Sequence, residues 1–397
     1  MRVVSRRRVR HRPIERLRGI LAATVVASVT ALGTINAIGP AAAAPEPAAG
    51  GSASTEQQLA DLIGAGLRPA PDGRQVQPIV DTGSGSGSAG LSRATRVAAE
   101  GPEVTAYLAA FVNGLAHPDA APPGANQPNC RPSAEHPRPV VLVHGTWLNA
   151  YDTFAYFSPR LARAGYCVFT FNFGRVGVLE GGGLGPLLPG RYGVGPMEDS
   201  ARQLSEYVDT VLAATGADQV DLVAHSQGGP VSSQYLKFEG GAGKVGKLIS
   251  FGGTNHGTSL MGMATLGRLI TNLGINILGF YRPLIGQANI QQVVGSEFYA
   301  RLNADGDTVP GVEYTAVGTR HDEISNPFEW TFLQPGPDAP VQNIALQDGC
   351  EQDMSDHLTL MYSPRAAAIA LRALDPQASV ELPCRFNPWM IGGGGSL

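Results

Sequence analysis

Residues 219–229, QVDLVAHSQGG, decide the fold. The first six of them predict a buried strand, and Pro230–Phe238 predicts a helix that follows almost at once. Ser226 therefore lies on a tight turn at the carboxyl end of a strand, where small neighbours such as Gly228 let the backbone come close to other elements. Ala224 stands where such turns usually carry glycine, and it keeps the side chain small. This context makes Ser226 a candidate nucleophile.

Short apolar runs alternate with helical patterns on both sides of this turn. The other predicted strands are Val140–Val143, Tyr166–Phe173, Lys247–Gly252, Glu313–Val317 and Val341–Leu346. Helices are predicted near Phe154–Ala164 and over Met197–Ala214. Apolar strands that alternate with helices predict an α/β fold, with a mostly parallel central sheet flanked by helices. Ligands of such sheets bind at the carboxyl ends of the strands, so candidate residues are judged by whether they lie there.

A serine hydroxyl is a weak nucleophile and needs a base. Three histidines follow Ser226 in the sequence: His256, His321 and His357. His357 lies between the last strand and the last helix, where a loop can reach the serine, and it is the predicted base. His256 follows a strand directly and is interpreted as a turn residue. His321 lies next to Asp322, which is the preferred partner acid for the base.

The base needs an acid that orients its ring and stabilises its protonated form. Asp322 follows the strand Glu313–Val317 at its carboxyl end and is preferred, with Glu323 as the nearest rival. Four other aspartates are weaker candidates: Asp305, Asp307, Asp353 and Asp356. The first two precede the strand, and the last two are merely near the base in sequence.

Acyl transfer also needs hydrogen-bond donors for the negative charge that develops on the carbonyl oxygen. The residue after the nucleophile, Gln227, offers its backbone N–H. The loop after Val140–Val143 offers the N–H of Thr146, and the Thr146 hydroxyl is a third candidate donor. His144 precedes the nucleophile in the sequence, so we interpret it as a brace for this loop.

Two apolar segments follow strands of the sheet. Gly174–Gly195 is rich in glycine and is a candidate mobile lid, and Thr258–Val294 is a long insertion rich in Met, Leu and Ile. We interpret them as a cap around a pocket for an acyl chain. Ordinary core helix is an equally weighted interpretation of the second segment.

The amino terminus has the pattern of an export signal. Residues 1–18 contain eight Arg, Gly19–Ile38 is apolar and uncharged, and Ala41–Ala44 precedes Pro45. This order predicts a signal peptide over residues 1–44, although a membrane anchor is an alternative because about 20 residues can span a bilayer. No later segment has the pattern of a transmembrane helix. We expect a secreted protein, including one retained at the cell wall.

Composition and charge exclude two classes of protein. The 397-residue chain is 43% hydrophobic and 16% charged, so it can bury a core and is not a charged disordered protein. Residues 1–18 hold eight of the 29 basic residues and one of the 33 acidic ones, so that 21 basic residues face 32 acidic ones in the remainder. A chain with that net charge is a poor phosphate binder, which argues against a nucleic-acid partner.

The chain divides into a leader and a catalytic region. Residues 45–125 predict two short helices, Thr55–Leu67 and roughly Ala94–Leu115, with a Gly-Ser linker at Gly83–Ser88 between them. This leader could be a packing arm, a pro-region or a partly disordered stalk. Residues 126–390 are the predicted catalytic domain, and residues 391–397 a flexible tail.

Four cysteines fit an exported chain, where disulfides persist. Their spacing alone allows three pairings. None lies in a CxxC pair, so a zinc site has little support.

From Cys130 to Cys384 the sequence resembles the secreted actinobacterial class 2 lipases and esterases, which have the α/β-hydrolase fold, and more distantly the yeast enzyme lipase B. The matching motifs are Val141-Leu142-Val143-His144-Gly145-Thr146, Ser226-Gln227-Gly228-Gly229, Asp322-Glu323-Ile324, and Asp356-His357 with Leu358-Thr359 after it. The resemblance implies a triad of Ser226, Asp322 and His357, and an oxyanion hole of Thr146 and Gln227. It also implies the disulfides Cys130–Cys167 and Cys350–Cys384.

These inferences predict a secreted serine ester hydrolase, foremost a triacylglycerol lipase that forms an acyl-enzyme and needs neither metal nor organic cofactor. Its expected partner is an acyl-ester lipid, including one at a lipid–water interface. The alternatives are a polyester depolymerase or short-chain carboxylesterase and, in another class, a non-catalytic lipid- or wall-binding protein on the same fold. The sequence leaves the oligomeric state open.

Overall fold

The computed structural model describes residue 97 and residues 99–178, 181–259 and 286–393. Several predicted features lie outside these residues: the signal peptide at 1–44, the helix Thr55–Leu67, the linker Gly83–Ser88 and most of the insertion Thr258–Val294. Within the described residues, no helix is both long enough and apolar enough to cross a membrane.

The strands of the described residues form two sheets. In the small sheet, β1 (Ala99–Glu100) pairs in parallel with β2 (Ala120–Ala121). The central sheet consists of β3 (Val140–Val143), β4 (Val168–Thr170), β5 (Val220–His225), β6 (Val245–Phe251), β7 (Glu313–Gly318) and β8 (Val341–Ala345). Its strand order is β4-β3-β5-β6-β7-β8, and every neighbouring pair is parallel. The prediction of a parallel central sheet is therefore confirmed.

Helices cover both faces of the central sheet. The helices are α1 (Tyr107–Ala116), α2 (Ala150–Phe154), α3 (Phe157–Arg163), α4 (Met197–Thr215), α5 (Gly228–Phe238), α6 (Gln287–Gln291), α7 (Glu297–Leu302) and α8 (Pro364–Leu374). Short 3-10 turns occur at Gly185–Leu187, Phe328–Thr331 and Thr359–Tyr362. Along β3, Val140 and Leu142 pack with α2, α3 and α8, whereas Val141 and Val143 pack with α4 and α5. Both faces of the strand are buried, which explains its uninterrupted apolar sequence.

Three predicted boundaries are wrong. The helix predicted over Ala94–Leu115 begins only at Tyr107, because Gly101-Pro102 interrupts it after β1 and the ring of Tyr151 packs where a Gly101 side chain would lie. The helix predicted near Phe154–Ala164 corresponds to α3, which begins three residues later because the shorter helix α2 ends at Phe154.

The third correction concerns β4, which was expected over Tyr166–Phe173 and covers only Val168–Thr170. Thr170 pairs with Leu142, and β3 ends one residue later, so the chain beyond Thr170 has no strand to pair with on that side. The side chain of Asn126 binds the backbone N–H and C=O of Thr170 instead.

Part of the predicted leader packs into the core. Tyr107 of α1 is buried against Tyr362, and the side chain of Asn149 donates to the carbonyl oxygen of Gly114 at the end of α1. At the other end of the chain, Gly392 forms a β-bridge with Ala106. Residues 391–393 therefore do not behave as a free tail, and residues 394–397 lie outside the described part.

Candidate active site

The candidate residues follow the carboxyl ends of strands of the central sheet. The β3 loop (residues 144–149) follows β3, Ser226 follows β5, and Asp322 follows β7. His357 lies on the histidine loop (residues 353–358), between β8 and α8. Because the strands are parallel, these loops emerge from the same edge of the sheet.

Ser226 is held in a strained turn between β5 and α5. Its φ angle is +53°, a left-handed conformation that non-glycine residues rarely adopt. Its N–H donates to the carbonyl oxygen of Phe251 at 3.0 Å, and its carbonyl oxygen accepts from the N–H of Gly229 at 3.0 Å. A Cβ at Gly228 would lie 2.3 Å from the carbonyl oxygen of Val143, so only glycine fits there. The requirement for a small residue has a direct steric cause.

A continuous line of hydrogen bonds joins three buried side chains. Nε2 of His357 lies 2.8 Å from Oγ of Ser226. On the other side of the ring, Nδ1 of His357 lies 3.0 and 2.9 Å from the two carboxylate oxygens of Asp322. With the ring proton on Nδ1, Nε2 can accept the serine proton while Asp322 fixes that tautomer.

The surroundings of His357 bear on its protonation. Burial alone would lower the pKa of His357, but the Asp322 carboxylate raises it above its ordinary value, with Glu323 and Asp356 adding to the effect. Asp322 is itself held in place, because Oδ1 accepts from the N–H groups of Ile324 and Ser325 at 2.9 and 2.6 Å.

The two nearest rival acids have other contacts. Glu323 accepts from the backbone N–H of His357 at 3.2 Å, and its burial and the carboxylates of Asp356 and Asp322 raise its pKa to about 8. Asp356 accepts from the N–H groups of Leu358 and Thr359 through Oδ1, and from that of Met390 through Oδ2. Neither carboxyl group contacts the His357 ring nitrogens, so the geometry favours Asp322 over both.

The β3 loop lies against the turn that carries Ser226. A Cβ at Gly145 would lie 2.8 Å from Cβ of Ser226, which brings the N–H of Thr146 close to the nucleophile. Among the described residues, the N–H groups of Thr146 and Gln227 have no acceptor. The Thr146 hydroxyl accepts a hydrogen bond from Nε2 of Gln292 at 2.7 Å.

A buried ion pair fixes the β3 loop. Arg191 donates to a carboxylate oxygen of Asp152 at 2.6 Å and to the carbonyl oxygen of Trp147 at 2.8 Å. Trp147 and Tyr192 also pair through their backbones, with the N–H of Trp147 2.8 Å from the carbonyl oxygen of Tyr192. The second half of the predicted lid, Gly174–Gly195, thus forms the support for this loop.

The remaining histidines serve other contacts. His144 stacks on Phe173 with ring centroids 4.0 Å apart, and its Nε2 accepts from the N–H of Phe173 at 3.3 Å. Burial lowers the pKa of His144 to about 3, so it is a neutral brace. His256 lies 3.1 Å from both carboxylate oxygens of Asp307 and 3.0 Å from the carbonyl oxygen of Trp330. Burial lowers the pKa of His321, whose ring makes none of the contacts of the Ser226 line.

Sequence reasoning did not single out three residues that contact this site: Arg191, His225 and Gln292. His225 donates from Nε2 to the carbonyl oxygen of His357 at 2.8 Å. Its position immediately before Ser226 was a usable signal, because a residue at the end of β5 must face a neighbouring loop. Arg191 and Gln292 are distant in sequence from every motif and gave no such signal.

Two disulfides are present, Cys130–Cys167 and Cys350–Cys384, the pairs that the resemblance implied. The second one joins the segment before the histidine loop to the C-terminal loop (residues 384–393). Among the described residues, no group of three or more His, Cys, Asp or Glu side chains could hold a metal ion.

A strained serine at a strand–helix turn, hydrogen-bonded in line with a histidine and an aspartate at the edge of a parallel sheet, is an arrangement typical of the α/β-hydrolase fold. Residues 140–394 match the model of the alpha/beta hydrolase family, and the chain belongs to that family.

Several solved structures are similar in fold. Lipase B from Aspergillus fumigatus is 19% identical with a TM-score of 0.49, and the match covers 66% of this chain and 56% of that one. The mature form of lipase BlEst2 from Bacillus licheniformis is 15% identical with a TM-score of 0.42, covering 62% of this chain and 94% of that one. A putative non-heme bromoperoxidase, BpoC from Mycobacterium tuberculosis, is 11% identical with a TM-score of 0.40, covering 61% and 93%. The chain thus spans little more than half the length of the Aspergillus lipase.

Proposed function

We propose that this chain is a secreted serine carboxylic ester hydrolase that acts on acylglycerols, with Ser226, His357 and Asp322 as its triad. The observation that carries the proposal is the line of hydrogen bonds from Asp322 through His357 to Oγ of Ser226. The motifs shared with class 2 lipases and with yeast lipase B favour an ester as the substrate.

The reaction begins when Oγ of Ser226 attacks the ester carbonyl carbon while Nε2 of His357 takes the hydroxyl proton. The tetrahedral intermediate carries its negative charge on the former carbonyl oxygen, beside the N–H groups of Gln227 and Thr146. His357 then gives its proton to the departing alcohol, and the acyl group stays on Ser226. A water molecule, deprotonated by His357, attacks the acyl-enzyme, and His357 then returns that proton to Oγ of Ser226 as the fatty acid leaves.

Export is part of the proposal. The arginine-rich start, the apolar run and the alanines before Pro45 support removal of a signal peptide, and two disulfides fit an oxidising compartment. Amino-terminal sequencing of protein from the culture medium tests this. A mature chain that begins near Pro45 is expected, and a chain retained in the membrane with its first 44 residues would contradict it.

The decisive test of activity is hydrolysis of p-nitrophenyl esters from acetate to palmitate, together with emulsified triglyceride. The Ser226→Ala variant should lose at least about 10³-fold in kcat. Ser232→Ala is the matched control, because Ser232 is another buried serine, six residues further along in α5, whose hydroxyl binds only the carbonyl oxygen of Gly228 among the described residues. A preference for short soluble esters would favour a carboxylesterase over a lipase. Equal, slow rates for wild type and Ser226→Ala would refute the enzymatic proposal and favour a lipid-binding role.

A further inference from the structure

The side chain of Gln292 joins the β3 loop to the loop after β6. Its Nε2 donates to Oγ1 of Thr146 at 2.7 Å and to the carbonyl oxygen of Ala288 at 3.2 Å. Its Oε1 accepts from the hydroxyl of Thr254 at 3.0 Å. Gln292 and Thr254 are both buried, and Thr146 is partly exposed.

The orientation of the Gln292 amide is determined by its partners. A backbone carbonyl oxygen can only accept, so the atom facing Ala288 must be the amino nitrogen. The amino group has two hydrogens, one for Ala288 and one for Thr146. On the other side, Oε1 of Gln292 can only accept, so the Thr254 hydroxyl gives it a hydrogen at 3.0 Å, while the Tyr299 hydroxyl donates to the backbone carbonyl oxygen of Thr254.

This orientation restricts the Thr146 hydroxyl. Because Gln292 presents a hydrogen to Oγ1, the hydroxyl hydrogen of Thr146 cannot point at Gln292 and must point elsewhere. No other described residue binds this hydroxyl. Thr146 follows Gly145, where a Cβ would lie 2.8 Å from Cβ of Ser226. An oxyanion formed at Ser226 is therefore a nearby acceptor for the Thr146 hydroxyl hydrogen.

We propose that Gln292 is a positioning residue that orients the Thr146 hydroxyl as a third donor to the oxyanion. This inference rests on the proposed function, because it requires acyl transfer at Ser226. A hydroxyl that is already aligned needs no reorientation when charge develops, and donors of this kind contribute most to transition-state stabilisation. Gln292 itself does not touch the substrate.

A double-mutant cycle in kcat tests the proposal. Thr146→Val removes the hydroxyl and should lower kcat about 10²-fold, in the range found for single oxyanion donors. Gln292→Met keeps the side-chain length but frees the Thr146 hydroxyl to rotate, and about a 10-fold loss is expected. In the double variant the loss should stay near 10²-fold, because Gln292 has nothing left to orient. KM for a soluble ester should change little.

The direction of the hydrogen is tested by Gln292→Glu. The introduced carboxylate would accept the Thr146 hydrogen and turn it away from the oxyanion, so the loss in kcat should exceed that of Gln292→Met. Protonation of the introduced carboxyl restores a donor, so the ratio of variant to wild-type kcat should rise as the pH falls. A ratio independent of pH would contradict the assigned direction.

Gln347 provides the matched control for a buried glutamine. Its Nε2 donates to Oγ1 of Thr319 and to the carbonyl oxygen of Asp353, each at 2.9 Å, which repeats the pattern of Gln292 at the start of the histidine loop and away from Thr146. Gln347→Met and Thr146→Val should act independently on kcat, whatever the size of the Gln347→Met effect. The fold-loss of their double variant should therefore be the product of the two single fold-losses. If the effects of Gln292→Met and Thr146→Val also multiply, or if Gln292→Met acts through KM alone, Gln292 has only a structural role and the inference is wrong. Equal rates for wild type and Ser226→Ala would instead refute the proposed function, and the inference with it.

Discussion

Nε2 of His225 donates to the backbone carbonyl oxygen of His357 at 2.8 Å. His225 is the residue before Ser226, so this bond ties the end of β5 to the histidine loop. Burial, followed by the nearby charge of His357, lowers the pKa of His225 to about 3. The ring is therefore neutral at ordinary pH, and its single hydrogen is committed to His357. This contact lies outside the line from Asp322 through His357 to Ser226 and helps to hold His357 beside Ser226.

His225→Leu should consequently let His357 move away from Ser226, although the side chains of Ser226 and His357 are both left unchanged. It leaves the carbonyl oxygen of His357 buried without its donor, which costs about 1–3 kcal/mol of folding stability. We expect kcat to fall about 10-fold or more with KM little changed, because small displacements of a base cost rate rather than binding. Urea unfolding and steady-state kinetics measure the two effects. His225→Gln, which retains a side-chain donor, should recover part of kcat, and equal losses in both variants would argue against this contact.

The acid can be assigned by two isosteric substitutions. Asp322→Asn removes the carboxylate that faces Nδ1 of His357 and should lower kcat about 10⁴-fold, because the ring then adopts the wrong tautomer. Glu323→Gln should lower it only a few-fold. Burial, together with Asp356 and Asp322, raises the pKa of Glu323 to about 8, which favours its protonated form, and an amide resembles that form. Kinetics at pH 7 decide the matter, and a larger loss in Glu323→Gln than in Asp322→Asn would reverse the assignment.

The acid limb of the pH profile follows from the pKa of His357. Burial opposes the charged ring, but Asp322 more than compensates, so that the pKa lies above its ordinary value. Since the base must be neutral to accept the Ser226 proton, kcat/KM should fall as the pH drops below that raised pKa, with a midpoint above about 6.5. In Asp322→Asn, burial still lowers the pKa of His357, but the main opposing charge is gone. The midpoint of the residual activity should therefore move to lower pH. An unchanged midpoint would show that another group controls this limb.

The strands and the catalytic candidates could be predicted because their signals are local. A buried strand such as Val140–Val143 is apolar on both faces, and Ser226 is marked by the strand–turn–helix pattern around it. His357 and Asp322 required one additional rule, the order of residues along the chain. The structure brings them to within hydrogen-bond distance of each other.

The supports of the site could not be predicted because their contacts are not local. Asn149 binds the carbonyl oxygens of Gly114 and Gly190, which lie 35 and 41 residues away in opposite directions. The guanidinium of Arg191 lies 4.7 Å from the ring centroid of Phe111 in α1. Sequence patterns record which faces of an element are apolar, but not which distant carbonyl oxygen a buried amide will reach. The sequence therefore leaves open whether the leader at residues 45–125 is a packing arm, a pro-region or a stalk, and only the structure shows that α1 packs beside the β3 loop.

The two disulfides should differ in their effect on activity. They close loops of similar length, with sequence separations of 37 residues for Cys130–Cys167 and 34 for Cys350–Cys384, and each is expected to contribute about 4 kcal/mol to stability through the unfolded chain. Only Cys350–Cys384 holds the C-terminal loop near the histidine loop. There the N–H of Met390 donates to Asp356 at 2.6 Å, and the side chain of Asn387 donates to Oγ of Ser355 at 2.8 Å.

Replacing each pair by serines separates the two roles. Both double variants should unfold at lower urea concentrations by a similar amount. At a temperature where both remain folded, the variant without Cys350–Cys384 should also lose about 10-fold or more in kcat, because Asp356 precedes His357 and would lose its anchor at Met390. The variant without Cys130–Cys167 serves as the control, since Cys167 lies just before β4, at the edge of the sheet opposite to Ser226. Equal losses of kcat in the two variants would mean that the C-terminal loop does not position the histidine.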